Sequence, residues 1–481
     1  MLWLWILLAV LGVIVLLAAV VLIRAAVLKP TPAVTAVPTK GDPARSKQYA
    51  ETLSRMVREE TVSSRYDEDR SKFLEFHKVL EELFPNIHKT CEKHVFNGSL
   101  LFKWPGQGKG DPILFMSHHD VVEAGGKWEQ EPFGGKIVDG AVWGRGTVDT
   151  KGSLFCFLTA AEEMMKEGYV PACDVYLASS CTEEWSGEGA PLTVQYLKEN
   201  GVKLGMLIDE GGMIMEEPIG GVKGTYAMVG VLEKGYGDVK FIAKGKGGHA
   251  SAPMPHTPLA RLASFICEVE KHYPFRSEFN PTVQEMFRRV MPNMNFGMKV
   301  VFANLWLFKP LLKKLMPSIS PAGAAMLRTT IAFTTAKGSD GLNVLPQEAY
   351  VTGNLRFIPH QGTDESISLI SELAKKYDID TEVIYKDYPC PVVDYTGSAF
   401  LSVEKAINEI YPGVGVSPYV MTGGTDAKFY KDICNDCIRF APLAITKQQY
   451  ESIHGLNENI NCNALPPGVD FYKLIVKMQE K

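Results

Sequence analysis

Five times in this sequence an apolar run stops on an acidic or imidazole side chain. Ile113-Leu114-Phe115-Met116 runs into Ser117-His118-His119-Asp120, and Trp143 through Val148 runs into Asp149. Val175 through Ser179 leads to Glu183-Glu184, Met206-Leu207-Ile208 to Asp209-Glu210, and Ser452-Ile453 to His454. Short apolar runs between turn residues read as buried strands. In an open α/β sheet, ligands bind in the crevice at the carboxyl ends of the strands. The pattern predicts a sheet whose strand ends converge on one polar site.

The intervening segments agree. Helical patterns near 44–60 and 69–83 precede strands near 94–104 and 112–117. A helix over 151–167 puts Leu154, Phe155, Leu158, Ala161 and Met165 on one face, and a further helix is expected over 188–200. Strands alternating with helices predict an α/β fold, a sheet flanked by helices on both faces. After about residue 235 the texture changes. Strand patterns at 238–243, 327–336, 348–357 and 380–386, with helices from Pro258 and near 363–377, predict an inserted α+β module. The α/β pattern resumes near 397. The division expected is an anchor at 1–28, a linker at 29–43, a catalytic domain in two parts (44–234 and 389–481) and an inserted lid at 235–388.

The anchor rests on Met1 to Ile23, MLWLWILLAVLGVIVLLAAVVLI, which has no charged side chain. At about 1.5 Å per residue it is long enough for a hydrocarbon core of about 30 Å. A cleaved signal would have basic residues before a shorter apolar core. Arg24, Lys29, Lys40, Arg45 and Lys47 all follow the span, which favours a single-pass protein with a cytoplasmic body. Nine cysteines without a framework pattern suit a reducing compartment, whereas the Asn97-Gly98-Ser99 sequon points the other way. Pro30 through Pro38 reads as a stiff extended linker. With a net charge of -5 and no basic stripe, nucleic acid is not an expected partner.

Singly, each strand-end group has an ordinary explanation. A Glu-Glu pair suits a solvated loop, Asp149 sits where it could cap a helix starting at Lys151, and a lone His is usually structural. Jointly they fit another chemistry. Two His and several carboxylates are the donors zinc takes. Two divalent ions about 3.5–4 Å apart need one shared carboxylate and two further ligands each.

The strings HHDVV, GRGTVDTKG, TEEWSGEGA, IDEGG, GKGGHASAP, NVLP, NLRFIP, GGTDAKFY and IHGLNE occur in that order. From about residue 44 to the C-terminus the chain thereby resembles the di-zinc peptidase and aminoacylase family, which includes aminoacylase, carboxypeptidase S and the glutamate carboxypeptidases. The extra segment around Leu305-Trp306-Leu307-Phe308-Lys309-Pro310-Leu311 looks most like the branch of carboxypeptidase S and the N-acyl-amino-acid synthase/hydrolases. The resemblance implies a zinc-exopeptidase-like mixed sheet and a lid of the dimerisation type, hence a possible homodimer in which the lid histidine acts on the neighbouring subunit's site. It implies two zinc ions per subunit, with manganese or cobalt as substitutes. His118 and Asp209 would hold one ion, Glu184 and His454 the other, and Asp149 would bridge them. The ligand in Asp209-Glu210 could slip by one residue; the position after the strand favours Asp209. His119 is read as non-ligating, and Asp120 as the carboxylate that orients His118.

Glu183 then becomes the general base, His249 and Asn343 the oxyanion donors, and Arg356 the clamp on a substrate carboxylate, with Gly423 and Gly424 letting backbone amides approach. The ordinary readings set against these are a surface salt bridge for Arg356 and a structural role for His249. Cys434-Asn435-Asp436-Cys437 reads as unreactive packing. The expected function is a membrane-anchored di-zinc amidohydrolase. It would cleave, or in reverse form, the amide of N-acyl amino acids or of small peptides with a free carboxylate. A strict dipeptidase or carboxypeptidase is the alternative within enzymes, and a non-catalytic membrane receptor or scaffold the alternative outside them. The Met-, Phe- and Trp-rich stretch 284–316 suits lipophilic acyl groups or membrane contact, and equally the core of an enlarged lid.

Overall fold

A computed structural model describes residues 2–31 and 42–480; most of the expected linker, including Pro38, lies outside the described residues. A ten-stranded mixed sheet organises the chain. Its order is Glu92–Phe96, Ser99–Trp104, Val175–Ser179, Ile113–Met116, Met206–Asp209, Cys437–Arg439, Thr225–Glu233, Ile214–Glu216 and Ala444–Ile445, and Gly415–Met421 also pairs with Thr225–Glu233. Val175–Ser179, Ile113–Met116 and Met206–Asp209 run parallel at the centre, and every one of their residues is buried. Unbroken apolar runs are what a strand covered on both faces requires.

Side-chain parity assigns the two faces. Ile113, Phe115, Val175, Leu177, Met206 and Ile208 join the core beneath helices Pro43–Val57, Lys151–Lys166, Ser398–Ile410 and Leu465–Met478. Leu114, Met116, Tyr176, Ala178 and Leu207 pack the other way, with Ala190, Val194 and Leu197 of helix Gly189–Glu199 and with Tyr430. Helix Lys151–Lys166 is buried on all sides through Ala161. Phe115, Phe157 and Tyr472 lock it to the C-terminal helix, the Tyr472 ring lying 4.9 Å and 5.8 Å from the two phenylalanine rings.

Three local expectations change. Residues 94–104 form two strands of a hairpin rather than one, because Asn97 and Gly98 take positive φ (46° and 95°), the pair a tight hairpin turn favours. The run before Asp149 stops at Trp143, in a small sheet ordered Asn459–Asn461, Ala141–Trp143, Lys136–Val138. Ser452-Ile453 is no strand. It closes the helical turn Lys447–Glu451, which Thr446 and Gln449 open as a capping box. The sequence pattern also leaves unassigned Thr225–Glu233, nine residues buried throughout.

A second sheet, antiparallel, has the order Thr330–Lys337, Glu348–Phe357, Gly235–Lys244, Asp380–Lys386. Burial alternates along Gly235–Lys244 and Glu348–Phe357, so one face is covered. Val239, Phe241 and Ala243 meet Leu262 and Phe265 of helix Pro258–Lys271 and Ile370 of helix Thr363–Lys375. Only Lys234 separates this sheet from Thr225–Glu233.

Residues 281–327 belong to neither sheet. They form a collar of helices, Pro281–Val290, Phe296–Phe302, Leu305–Ile319 and Pro321–Leu327. Asn280, Asn295 and Ser320 cap three of them by accepting from backbone N–H groups in the first turn, which satisfies donors a helix start leaves free. Val283, Met286, Phe287, Val290 and Leu327 pack on Tyr226, Met228, Leu232 and Val420. The collar thus covers part of Thr225–Glu233 and Gly415–Met421 in the large sheet, a placement that the sequence reading left open.

Candidate functional site

Each central strand delivers its polar groups just past its end. His118 lies two residues beyond Met116 and is buried. Its Nδ1 is 2.9 Å from the Asp120 carbonyl oxygen and 3.4 Å from Asp120 Oδ1, which turns Nε2 outward, 3.1 Å from Asp149 Oδ1. The Asp120 carboxylate also accepts from Ser63 Oγ (2.6 Å) and from the backbone N–H groups of Glu183 and Glu184 (3.2 Å each). One buried side chain therefore orients His118 and fixes the Glu183-Glu184 turn.

That turn is not an extension of the strand. Val175–Ser179 ends, and Glu183–Trp185 forms a single 3-10 turn closed by Ser186 in the left-handed region (φ 54°). The two glutamates diverge because successive residues of such a turn point about 120° apart, not because of strand pleating. Glu184 Oε2 lies 3.1 Å from His454 Nε2. Glu183 Oε2 lies 4.0 Å from His118 Nε2.

Asp149 stands between the two imidazoles, Oδ1 facing His118 at 3.1 Å and Oδ2 facing His454 Nε2 at 3.0 Å. A capping role for it is excluded among the described contacts, since Thr150 occupies the N-cap and makes no side-chain cap bond. His454 reaches the site from a left-handed backbone (φ 56°). Donor atoms of His118, Asp149 and Glu210 lie within 4.8 Å of one another, as do those of Asp149, Glu184 and His454. Two triads thus share Asp149.

The acidic pair after Met206–Asp209 departs from the reading that favoured Asp209. Asp209 is buried and its two oxygens are occupied, Oδ1 by the N–H of Glu210 (2.8 Å) and Oδ2 by the N–H of Ala427 (2.9 Å). The residue that turns into the cluster is Glu210. Gly212 follows because a Cβ there would lie 1.9 Å from the Met228 carbonyl oxygen. His119 is also set apart, with Nδ1 2.8 Å from Ser179 Oγ and its ring among Phe73, Phe76 and His77. Burial holds it well below the usual imidazole range, hence neutral.

The electrostatics of the cluster are unusual. Burial raises the carboxyls of Glu183, Glu184 and Glu210, and neighbouring carboxylates add to the effect. Burial would raise Asp149 too, but its bonds to His118 and His454 outweigh that and hold it below the usual range. Hydrogen bonds to Asp149 and Glu184 push His454 up to about 10. Glu184 Oε1 is buried with no hydrogen-bond partner among the described residues. A concentration of buried carboxylates with an orphaned oxygen has the composition of a cation site.

Two positioning groups were not singled out from sequence. Glu458, fully buried, accepts from Arg145 Nη1 (2.7 Å) and the Gly146 N–H (3.1 Å) on one oxygen, and from the N–H groups of Val148 (2.8 Å) and Asp149 (3.1 Å) on the other. Arg145 Nη2 donates to the Gly455 carbonyl (2.7 Å). The small sheet brings these loops together, since Asn459 pairs with Trp143. The signal lay in two opposite charges inside GRGTVD and IHGLNE. Asp426, whose carboxyl burial raises to about 7, is the other; it adds to the charges around Glu183.

The remaining candidates lie around the second sheet. Arg356 has no carboxylate partner among the described ion pairs, so it is no salt bridge. Its guanidinium stacks 4.6 Å from the Tyr236 ring centre, and a Cβ added to Gly424 would lie 3.6 Å from its Nη1. Glu233, which accepts from the N–H of Thr425 (3.0 Å) and from Arg439 Nε (2.9 Å), anchors that glycine loop; a Cβ on Gly423 would meet only Met421, at 3.9 Å. His249 pairs with Val344 across the ribbon Gly248–His249/Val344–Leu345, and the Asn343 carbonyl accepts from the Ala250 N–H (3.0 Å) at its end. His249 and Asn343 are exposed, and no described hydrogen bond or ion pair joins either to the cluster. Cys434 and Cys437 are buried free thiols.

The chain is similar in sequence and fold to known proteins. The description "Peptidase family M20/M25/M40" matches residues 114–478. The N-fatty-acyl-amino acid synthase/hydrolase PM20D1 of Xenopus tropicalis is 32% identical over 90% of this chain and 86% of its own length. A probable carboxypeptidase S-like protein of Dictyostelium discoideum is 30% identical over 90% and 85%. Among solved structures, an M20 family metallo-carboxypeptidase of Sulfolobus solfataricus superposes with a TM-score of 0.69 at 17% identity, over 90% of this chain and 99% of that one. Human carnosine dipeptidase 1 gives 0.63 at 13%, over 91% and 97%.

Replacing Glu458 by Ala should strip the loops of both Asp149 and His454 of support and leave the Arg145 charge buried alone. Breaking a buried pair in this way costs about 3–5 kcal/mol. The expected outcome is a lower unfolding temperature together with loss of bound metal, read by thermal unfolding and elemental analysis; unchanged metal content would show that the loops hold without it.

Proposed function

The chain belongs to peptidase family M20/M25/M40, in the branch of the N-fatty-acyl-amino acid synthase/hydrolases and carboxypeptidase S-like proteins, and from that premise we propose that it is a membrane-anchored di-zinc amidohydrolase acting on N-acyl amino acids. The observation that carries the proposal is Asp149, whose two oxygens face different imidazoles. His118 and Glu210 complete one three-ligand set around it, Glu184 and His454 the other. Imidazole and carboxylate are donors zinc accepts, and a shared carboxylate with two further ligands on each side is the count a two-metal site needs. The orphaned Glu184 Oε1 and the crowd of buried acids fit such a charge. When bound, ions of this kind act as Lewis acids and lower the pKa of water to about 7.

The chain's own groups divide the remaining work. Glu183 is left out of both triads, and burial gives its carboxylate a raised proton affinity. It takes the proton of the attacking water as the new C–O bond forms, and returns it to the amine nitrogen as the C–N bond breaks. Asp120 keeps Glu183 and His118 in place. Arg356, stacked on Tyr236 and without a carboxylate partner among the described residues, pairs with the free carboxylate of the substrate beside Gly423 and Gly424; a planar guanidinium suits that partner. His249 and Asn343 are assigned to the oxyanion, supplied by movement of the second sheet or by a second copy of the chain joined through it. Helix Leu2–Ala26, 25 residues long and open along nearly all its length, is taken as a single membrane span, and the basic residues after it favour a cytoplasmic body.

The acyl-amino-acid reading is preferred to a strict dipeptidase because relatives at 30% identity or more include N-fatty-acyl-amino acid synthase/hydrolases, whereas the dipeptidase structures share fold alone. Assays on N-oleoyl-phenylalanine and a panel of dipeptides, with metal content measured in parallel, test it. The protein should cleave the acyl amino acid, and Glu183→Gln should lose at least about 10²–10⁴-fold in rate, the usual worth of a positioned base, while keeping its metal. Cleavage of neither class would overturn the hydrolase assignment, and metal loss in the variant would make Glu183 a ligand. Arg356→Ala should raise KM for substrates with a free carboxylate and leave their amides unaffected. An equal effect on both would remove the clamp.

A further inference from the structure

The collar leaves one side uncovered. Along helix Leu305–Ile319, the side chains of Trp306, Leu307, Leu311, Leu315 and Ile319 are 54%, 40%, 52%, 45% and 75% exposed. At about 100° per residue Leu307, Leu311, Leu315 and Ile319 fall within about 120° of one another, and Trp306 flanks them about 100° to one side. Lys314 is exposed on that face, Lys309 and Lys313 are half-buried at its border, and the helix has no acidic residue. Contiguous apolar surface on a helix marks an interaction site, whereas exposed apolar residues scattered singly do not.

What meets this face follows from what holds it. The collar is bonded at four points to the end of the N-terminal helix and the residues just after it. Asn304, fully buried at the start of Leu305–Ile319, donates from Nδ2 to the Val21 carbonyl (3.1 Å), and Arg24 Nε donates to the Ala303 carbonyl (3.3 Å). Lys299 Nζ donates to the Leu28 carbonyl (3.3 Å), and Asn293 Nδ2 to Thr31 Oγ1 (3.1 Å). On the N-terminal helix only Val21 and Ala25 are buried. Val21 lies five residues before the end of Leu2–Ala26, about 7.5 Å at 1.5 Å per residue. A hydrocarbon core takes about 20 residues, which puts Val21 at its boundary. Amphipathic helices bury their apolar face about 5–10 Å into the headgroup and acyl boundary, the same depth.

We propose that Leu305–Ile319 is a membrane-surface helix, seated in the leaflet from which the N-terminal helix emerges. Trp306, Leu307, Leu311, Leu315 and Ile319 enter the acyl boundary, and Lys314 meets lipid phosphate. The inference rests on the reading of Leu2–Ala26 as a membrane span. Two attachments of this kind hold the catalytic unit at one height and tilt over the bilayer, with Trp306 at the level where indole rings settle.

The test uses the full chain reconstituted in phosphatidylcholine vesicles, with and without phosphatidylserine. An environment-sensitive fluorophore is placed at Leu311→Cys or Leu315→Cys in a Cys267→Ser background, Cys267 being the exposed native thiol. The same label at Val383→Cys, on the outer strand of the second sheet, is the control. Carbonate extraction is run on every sample. The proposal expects chain retained after carbonate, blue-shifted emission at 311 and 315 that bromine-labelled lipid quenches strongly, and no quenching at 383. Retained chain with 311 and 315 as water-exposed as 383 would overturn the surface helix while leaving the span intact. Release by carbonate would overturn the span, and the inference with it. Self-quenching that grows with protein-to-lipid ratio, without quenching by lipid, would give the face to a second copy and also overturn it.

Discussion

The site depends on one carboxylate held between two imidazoles. Among the described residues, Asp149 alone belongs to both triads, and Glu458 and Asp120 keep it or its partners in position. Glu458 holds its backbone and that of Val148, and the same Glu458 is tied through Arg145 to the loop of His454. Asp120 does the equivalent on the other side, joining His118 to the turn of Glu183 and Glu184. Rigid support of this kind is how a binding constellation keeps its geometry.

The arrangement is costly to fold. Glu183, Glu184 and Glu210 are desolvated beside one another, and each is pushed towards its neutral form. Two imidazoles offset part of that charge, and His454 is raised accordingly. A divalent cation would offset the rest, and a ligand that binds only the folded chain stabilises it in proportion to its affinity. Binding of such a cation would therefore be coupled to folding.

Much of this was legible in the sequence. The parity of Ile113–Met116, Val175–Ser179 and Met206–Asp209 announced strands covered on both faces, and the ordered motifs carried His118, Asp149, Glu184 and His454 to one place. What escaped was set by tertiary contacts. Asp209 and Glu210 are adjacent acids, and only the N–H of Ala427, from a distant segment, decides which one is used up. His454 looked like a strand end because Ser452-Ile453 is apolar, but the capping box at Thr446 makes that segment helical. Glu458 was overlooked because a buried glutamate is rare and its partners lie some 310 residues away. The stretch 284–316 was left open between lipid or acyl contact and lid core because composition cannot say which sheet an apolar helix will cover.

Asp149 shared between two metal positions would give the chain a fixed count of ions. Mass spectrometry of the intact chain under native conditions, purified without chelators, counts the ions directly. Two ions per chain are expected, the number two triads sharing one carboxylate would hold. A single ion per chain, with full activity, would contradict that sharing.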